Sequence, residues 1–112
     1  MSRKHGRTDV NQTDIVAAFR KFGATVKATA DMGEGFPDLI VGFRGLNYLM
    51  EVKDGSKPPS GRKLTPDQEE FFRDWGGQVM VIKSVDEVAL FMKAIIEPHI
   101  LCRARDFSSA GC

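Results

Sequence analysis

The sequence predicts an α/β domain in which a central mixed β-sheet is flanked by α-helices. Two observations lead to this prediction: segments with apolar residues at helical spacing alternate along the chain with short, β-rich apolar runs, and glycine or proline separates most of them. The 112 residues, 42% of them hydrophobic, suffice for one modest core. We therefore expect a single domain over residues 1–96 and a loose C-terminal tail over residues 97–112, where no periodicity remains.

The first half of the chain predicts a helix, a strand and a hairpin. Apolar residues recur at helical spacing over about residues 12–22, and Gly23 stands where a C-terminal cap belongs. A short β-rich strand follows over residues 25–29. After a glycine-containing loop, "DLIVGF" and "YLMEVK" are typical of strands, and "RGLN" at 44–47 supplies a turn. We expect these two strands to pair as a hairpin.

The second half predicts a helix, a strand and a helix. "LTPDQEEFFRDWGG" offers Thr65 as a cap, Pro66 at the first helical position and Gln68 in the capping-box place. "QVMVIK" at 78–83 predicts a fourth strand. "SVDEVALFMKAIIE" repeats the capping pattern with Ser84 before a helical apolar stripe.

Composition limits the function classes less than the motifs do. The formal net charge of +1 neither requires nor excludes a nucleic-acid partner. Both cysteines fall in the last stretch, outside any periodic segment, which is not typical of a disulfide framework and favours a reducing cytoplasm. No apolar run approaches membrane-spanning length, and no apolar segment follows the basic N-terminus, so we expect no membrane partner.

A pair of acids and a lysine mark the predicted hairpin as a candidate site. Alternate side chains of a strand share a face, so Glu51 and Lys53 point the same way. Asp38 follows Pro37 at the start of the neighbouring strand, and pairing of the two strands can place its carboxylate beside that of Glu51. Two adjacent carboxylates repel unless a cation lies between them. An oxygen-preferring ion such as Mg²⁺ or Mn²⁺ meets that need, with the Val52 carbonyl as a further ligand.

This set of groups suits phosphodiester hydrolysis. Lys53 can orient or deprotonate an attacking water, or stabilise charge that develops on a phosphate. The structural alternative is that the Pro-Asp pair is ordinary turn chemistry and that Glu51 and Lys53 form a solvated ion pair on a half-exposed strand. The combination of both motifs on paired strands favours a metal-dependent nuclease.

The segment "GFPDLIVGFRGLNYLMEVK" resembles the PD-(D/E)xK nuclease superfamily, with residues 37–38 as the first motif and residues 51–53 as the second. Within it the chain is similar to the small stand-alone VRR-NUC nucleases of phages and bacteria, relatives of archaeal Holliday-junction resolvases, over roughly residues 9–94. The resemblance implies a restriction-endonuclease-like core and a Mg²⁺-dependent endodeoxyribonuclease, selective for branched or Holliday-junction DNA, in a bacterial or phage-infected cell.

The resemblance also implies two further site residues. A third carboxylate is expected on the first helix, usually a glutamate, and Asp14 occupies that place, contacting metal directly or through a water. Alternatively, Asp14 lies in the first helical turn, three residues after Asn11, where an acid favours the helix dipole and completes a cap. Gln68 matches a glutamine that such nucleases carry near the site, although its place three residues after Thr65 also suits a capping box.

A basic loop, "DGSKPPSGRK", leaves directly from the predicted site. Its cations can contact DNA phosphates without regard to base sequence. A solvated linker with incidental charges is the alternative. The residues concerned are Lys57, Arg62 and Lys63.

Two other function classes remain possible, and the oligomeric state is a further question. A restriction- or repair-type nuclease on duplex DNA would use the same site. A catalytically silent DNA-binding module is the non-enzyme alternative, suggested by the aspartate at position 14 where glutamate is usual. Resolving a four-way junction needs two symmetrical cuts, so we expect a homodimer. "EEFFRDW" or "EVALFMKAII" can supply its apolar patch, unless both helices only cover their own sheet and leave a monomer that nicks.

Overall fold

A computed structural model describes the backbone of residues 6–97 and the side chains of residues 11–97. Within this range it contains a mixed four-stranded sheet and three α-helices, which confirms the predicted α/β class. The helices are α1 (Gly6–Lys21), α2 (Pro66–Asp74) and α3 (Val85–Ile96), and the strands are β1 (Thr25–Ala28), β2 (Leu39–Phe43), β3 (Leu46–Val52) and β4 (Val79–Ile82). No helix within these residues is long and apolar enough to cross a bilayer. The predicted tail, apart from Glu97, lies outside the described residues.

The sheet runs in the order β1-β2-β3-β4, with antiparallel pairing up to β3 and parallel pairing between β3 and β4. The predicted hairpin is present, but its turn is shorter than expected. Arg44 and Gly45 have φ angles of 51° and 84°, as the two central positions of a type I′ turn require. The strand β3 therefore begins at Leu46, two residues before the predicted start.

The helix α1 begins at Gly6, about six residues before its predicted start. Apolar periodicity reports only the part of a helix that packs on the core, and here that part begins at Ile15. The preceding polar residues carry no apolar stripe, yet no proline interrupts them. Asp14 consequently lies more than two turns inside the helix, so the alternative that it supports the first turn is wrong.

One face of the sheet and two helices enclose the hydrophobic core. The alternating residues of β2 and β3 point to this face, where Phe91 of α3 contacts the Phe19 and Tyr48 rings edge-on at centroid distances of 6.3 and 5.1 Å. α1 and α3 cover it. The core comprises Ile15, Ala18, Phe19, Ala24, Val26, Leu39, Val41, Tyr48, Met50, Val52, Ile82, Val88 and Met92.

The opposite face of the sheet, which carries Glu51, meets the start of α2. The predicted capping box is formed: Thr65 Oγ1 accepts from the Gln68 N–H at 3.2 Å, and Gln68 Oε1 accepts from the Thr65 N–H at 2.9 Å. Gly35, at a φ of 76°, lies so close to the Asp67 backbone that a Cβ atom there would overlap its carbonyl. The loop before Asp38 is thus seated directly on the first turn of α2.

Candidate active site

Asp38 is held at the start of β2 by its neighbours on both sides. The Thr29 N–H donates to the Asp38 carbonyl, and Thr29 Oγ1 donates to the Pro37 carbonyl, both at 2.8 Å. The Val52 N–H donates to Asp38 Oδ2, also at 2.8 Å. These bonds fix both the backbone and the carboxylate of Asp38, so its orientation is set before any ligand binds.

Glu51 is the cross-strand neighbour of Asp38. Leu39 of β2 pairs with Met50 of β3, and one step further along the same antiparallel register places Asp38 opposite Glu51. Both side chains line one pocket of about 240 Å³. The structure therefore brings together the two carboxylates that the strand pattern singled out.

The Glu51 carboxylate is buried and only half satisfied. Its residue is 2% exposed, and Oε1 has no hydrogen-bond partner among the described residues. Burial, reinforced by the negative charge of Asp38, raises the pKa of Glu51 to about 8 even though nearby Lys53 opposes the shift. This burial contradicts the alternative of a solvated ion pair on a half-exposed strand.

Gln68 connects the acid and the lysine of the site. Its Nε2 donates to Glu51 Oε2 at 2.9 Å, while its Oε1 accepts from Lys53 Nζ at 2.9 Å as well as from the Thr65 N–H. Lys53 Nζ also lies 3.6 Å from Glu51 Oε2. The two roles considered for Gln68 are therefore compatible: its side chain caps α2 and contacts both charged groups at once.

The basic loop reaches the pocket through one of its three predicted cations. Lys57 lines the pocket together with Gly61, and Arg62 Nε donates to the Lys57 carbonyl at 2.7 Å, which closes the loop on itself. Lys63 is exposed and is not among the pocket residues. Of the three loop cations, Lys57 is thus the one that lines the pocket, and Arg62 bonds its backbone carbonyl.

Asp14 is not brought to this site. Its side chain is exposed and lines a different cavity, of about 300 Å³, between α1 and α3. Among the described residues of α1, the pocket is lined instead by Asn11, whose Nδ2 donates to the Lys53 carbonyl at 2.9 Å. A capping role for Asn11, which the sequence suggests, does not predict this contact with the Lys53 backbone. Because the helix starts at Gly6, position 11 already lies within it and faces the pocket, whereas position 14 faces a different cavity.

The oxygen groups of the pocket fit a hard divalent cation. No cluster of three or more Asp, Glu, His or Cys side chains suited to a metal occurs within residues 11–97. Mg²⁺ is nevertheless commonly held through one or two carboxylates while it keeps several waters. Asp38 and Glu51 supply that number, and Glu51 Oε1, buried and without a hydrogen-bond partner among the described residues, is free to act as a ligand. Val52 also lines the pocket, and its carbonyl stays a predicted ligand.

Comparison with known proteins agrees with this description. Neither a family model nor a curated protein sequence matches the chain. Among solved structures, a VRR_NUC domain matches with 29% sequence identity and a TM-score of 0.52, covering 86% of this chain and 98% of that chain. The match thus covers most of this chain and nearly all of the other domain. It confirms the resemblance found in the sequence and supports the assignment of this chain as a VRR-NUC nuclease domain, consistent with the PD-(D/E)xK superfamily.

Proposed function

We propose that this chain is a metal-dependent endodeoxyribonuclease that hydrolyses phosphodiester bonds in the pocket of Asp38, Glu51 and Lys53. The observation that carries the proposal is the buried Glu51 carboxylate, which has one unpartnered oxygen beside Asp38 in a pocket open to ligands. A purely structural site would not retain a half-satisfied buried acid, because such a group costs stability.

Asp38 and Glu51 would hold Mg²⁺ or Mn²⁺. A divalent ion there supplies Lewis-acid polarisation of a phosphate and lowers the pKa of water. The Lys53 ammonium, oriented by Gln68 Oε1, is placed to stabilise charge on the phosphate or to orient the attacking water. Gln68 orients the acid and the ammonium together, and Lys57 contacts a neighbouring DNA phosphate from the loop.

Cleavage by wild type and four single variants, one of them a control, tests this assignment. D38N and E51Q exchange a carboxylate for an amide with little change in volume, and K53A removes the ammonium together with its aliphatic chain. E70Q makes the same amide exchange on an exposed carboxylate of α2. In Mg²⁺ or Mn²⁺, we expect D38N and E51Q to lose cleavage and E70Q to keep it. Cleavage by D38N or E51Q at the wild-type rate in saturating metal would contradict the site.

The substrate is proposed to be branched DNA, such as a four-way junction, on the strength of the family resemblance. A panel of four-way junction, flap and linear duplex tests it. Preferential cutting of the junction supports it, whereas preferential cutting of linear duplex would assign the same site to a restriction- or repair-type nuclease.

One observation favours a catalytically silent DNA-binding module as the second candidate. The resemblance implies a third carboxylate on the first helix, whereas among the described side chains of α1 the pocket is lined by an amide, that of Asn11. Calorimetric titration of wild type and D38N with Mn²⁺ distinguishes the two functions. A nuclease should bind the ion in a D38N-sensitive way, and a silent module should show no such binding.

We also propose that the working unit is a homodimer that associates through α3. Val85 and Leu90 are 46% and 70% exposed, and Val85 borders the apolar cavity between α1 and α3. Association through the outer edge of β1 is less favoured because Arg20 Nη2 donates to the Val26 carbonyl there, at 3.2 Å.

Light scattering at micromolar concentration tests the dimer. A mass of twice 12.4 kDa is expected for wild type, and L90E should return it to 12.4 kDa. L46E makes the same substitution at a 51% exposed leucine of the hairpin and should leave the dimer intact. A wild-type mass of 12.4 kDa would overturn the dimer.

A further inference from the structure

Asn11 makes a side-chain hydrogen bond that ties α1 to the catalytic end of β3. Its Nδ2 donates to the Lys53 carbonyl at 2.9 Å, across 42 positions of sequence. Asn11 is half-buried and lines the pocket of Asp38 and Glu51. A long-range contact of this kind, at the edge of a candidate site, needs a role other than helix capping, because the helix begins at Gly6.

Lys53 stands at the point where β3 gives way to the basic loop. The strand ends at Val52, and the Lys53 N–H still donates to the Ile82 carbonyl of β4 at 3.1 Å. The carbonyl of Lys53 is held by Asn11 instead. The peptide groups on both sides of the Lys53 Cα are thereby fixed, one by the sheet and the other by α1.

The direction of the Lys53 side chain depends on those two peptide groups. From this Cα the ammonium reaches Gln68 Oε1 at 2.9 Å and lies 3.6 Å from Glu51 Oε2. Without the Asn11 amide, the Lys53 carbonyl would lose its tie to α1, although the loop stays anchored at the Gly55 N–H, which donates to the Lys83 carbonyl at 3.3 Å. The ammonium would then lose its fixed position, and misplacement of about 1 Å at a reacting group can cost on the order of 100-fold in rate.

We propose that Asn11 is a positioning residue: its amide holds the Lys53 backbone so that the ammonium stays between Glu51 and Gln68. The catalytic part of this inference rests on the proposed nuclease function, whereas the positioning part concerns the chain alone. The role needs a hydrogen-bond donor, which an amide has and a carboxylate lacks. Asn11→Asp therefore removes the bond at constant volume and sets a negative charge against a carbonyl oxygen.

Four variants test the role. N11A and N11D remove the donor, and Q12A and Q12E make the same changes at the next residue, which lines a separate surface cavity with Arg20. NMR of the Lys53 ammonium, by its ¹⁵Nζ and ¹³Cε resonances, reports its position without requiring any cleavage. Calorimetry with Mn²⁺ and single-turnover cleavage in saturating metal complete the comparison, and circular dichroism melts establish that each variant is folded.

We expect N11A and N11D to shift and broaden the Lys53 ammonium signals and to reduce the single-turnover rate by about 10- to 100-fold. In N11A, Mn²⁺ affinity should stay within about twofold of wild type, and the Gln12 variants should match wild type throughout. If N11A does not fold, the isosteric N11D decides by the same NMR signals.

Unchanged Lys53 signals in both Asn11 variants would overturn the inference. A loss of Mn²⁺ affinity in N11A with unchanged Lys53 signals would also overturn it, since Asn11 would then act as a ligand. If the wild-type protein cleaves no substrate, the nuclease proposal fails, and the NMR comparison still decides whether Asn11 positions Lys53.

Discussion

Glu51→Gln should stabilise the protein while it abolishes the proposed activity. In the folded chain, burial and the charge of Asp38 raise the pKa of Glu51 from 4.5 to about 8. The unfolded chain thus releases this proton near pH 4.5, and the folded chain keeps it until about pH 8. Between these values the folded state binds more protons, so the free energy of unfolding falls as pH rises. Glutamine stays neutral and has no such dependence.

The size of the effect follows from the shift. Each pH unit between the two pKa values should cost the wild type about 1.4 kcal/mol relative to E51Q. From pH 5 to pH 8 the difference should grow by about 3.5 kcal/mol, less than three full units because the proton is half released at pH 8, and this is a substantial part of the stability of a small domain. Little discount for solvent screening applies, because Glu51 is buried.

Urea unfolding at pH 5, 6, 7, 8 and 9 in the presence of a chelator measures this difference. E70Q is the matched control, and its stability should follow the wild type at every pH. Mg²⁺ added at pH 8 should stabilise the wild type and leave E51Q unchanged, because only ionised Glu51 offers a second anionic ligand beside Asp38. If the free energies of unfolding of the wild type and E51Q change in parallel with pH, the pKa of Glu51 is not raised in the folded state and the reasoning is refuted.

Three further predictions concern the rest of the site. K53A should bind metal and DNA as the wild type does but lose most single-turnover cleavage, because the Lys53 ammonium acts in the transition state. Retained cleavage would show that Lys53 takes no part in the reaction. G35A should be less stable in urea and lose cleavage, because at its φ of 76° a Cβ atom would overlap the Asp67 backbone. G33A is the control: its φ of 77° is equally unfavourable for alanine, but a Cβ atom there meets open space. Equal stability of the two glycine variants would contradict the overlap. Replacing the three loop cations by alanine should lower the slope of log K against log salt for duplex DNA by about 2 to 3, and an unchanged slope would make the loop a linker. The cations are Lys57, Arg62 and Lys63.

Local sequence signals predicted most elements and the central acids of the site. Strand alternation and the Pro-Asp pair identified Asp38 and Glu51, because cross-strand proximity follows directly from an antiparallel hairpin. The burial of Glu51 could not be read from sequence, since it depends on how α2 meets the sheet.

The contribution of α1 was harder to predict because it depends on where a polar helix begins. The same spacing argument that located the buried stripe gave no information on the turns before Ile15, so Asp14 was chosen and Asn11 overlooked. For Gln68 the sequence leaves two roles open, the capping box and the site, and the structure shows both because the two polar atoms of its side chain make three hydrogen bonds.

The two-residue turn at Arg44 and Gly45 also has a consequence for the order of folding. Asp38 and Glu51 are only 13 positions apart, and the hairpin that joins them closes a short loop, an event on the order of 1–10 μs in isolated hairpins. The two acids therefore meet at an early and local step, before the distant helices can shield or neutralise them. Glu51 is not yet buried at that moment, because its burial depends on how α2 meets the sheet, so both acids are ionised there at neutral pH. Raising the pH from 5 to 8 should consequently leave hairpin closure unchanged and slow the later docking of α2, the step at which Glu51 must take up a proton.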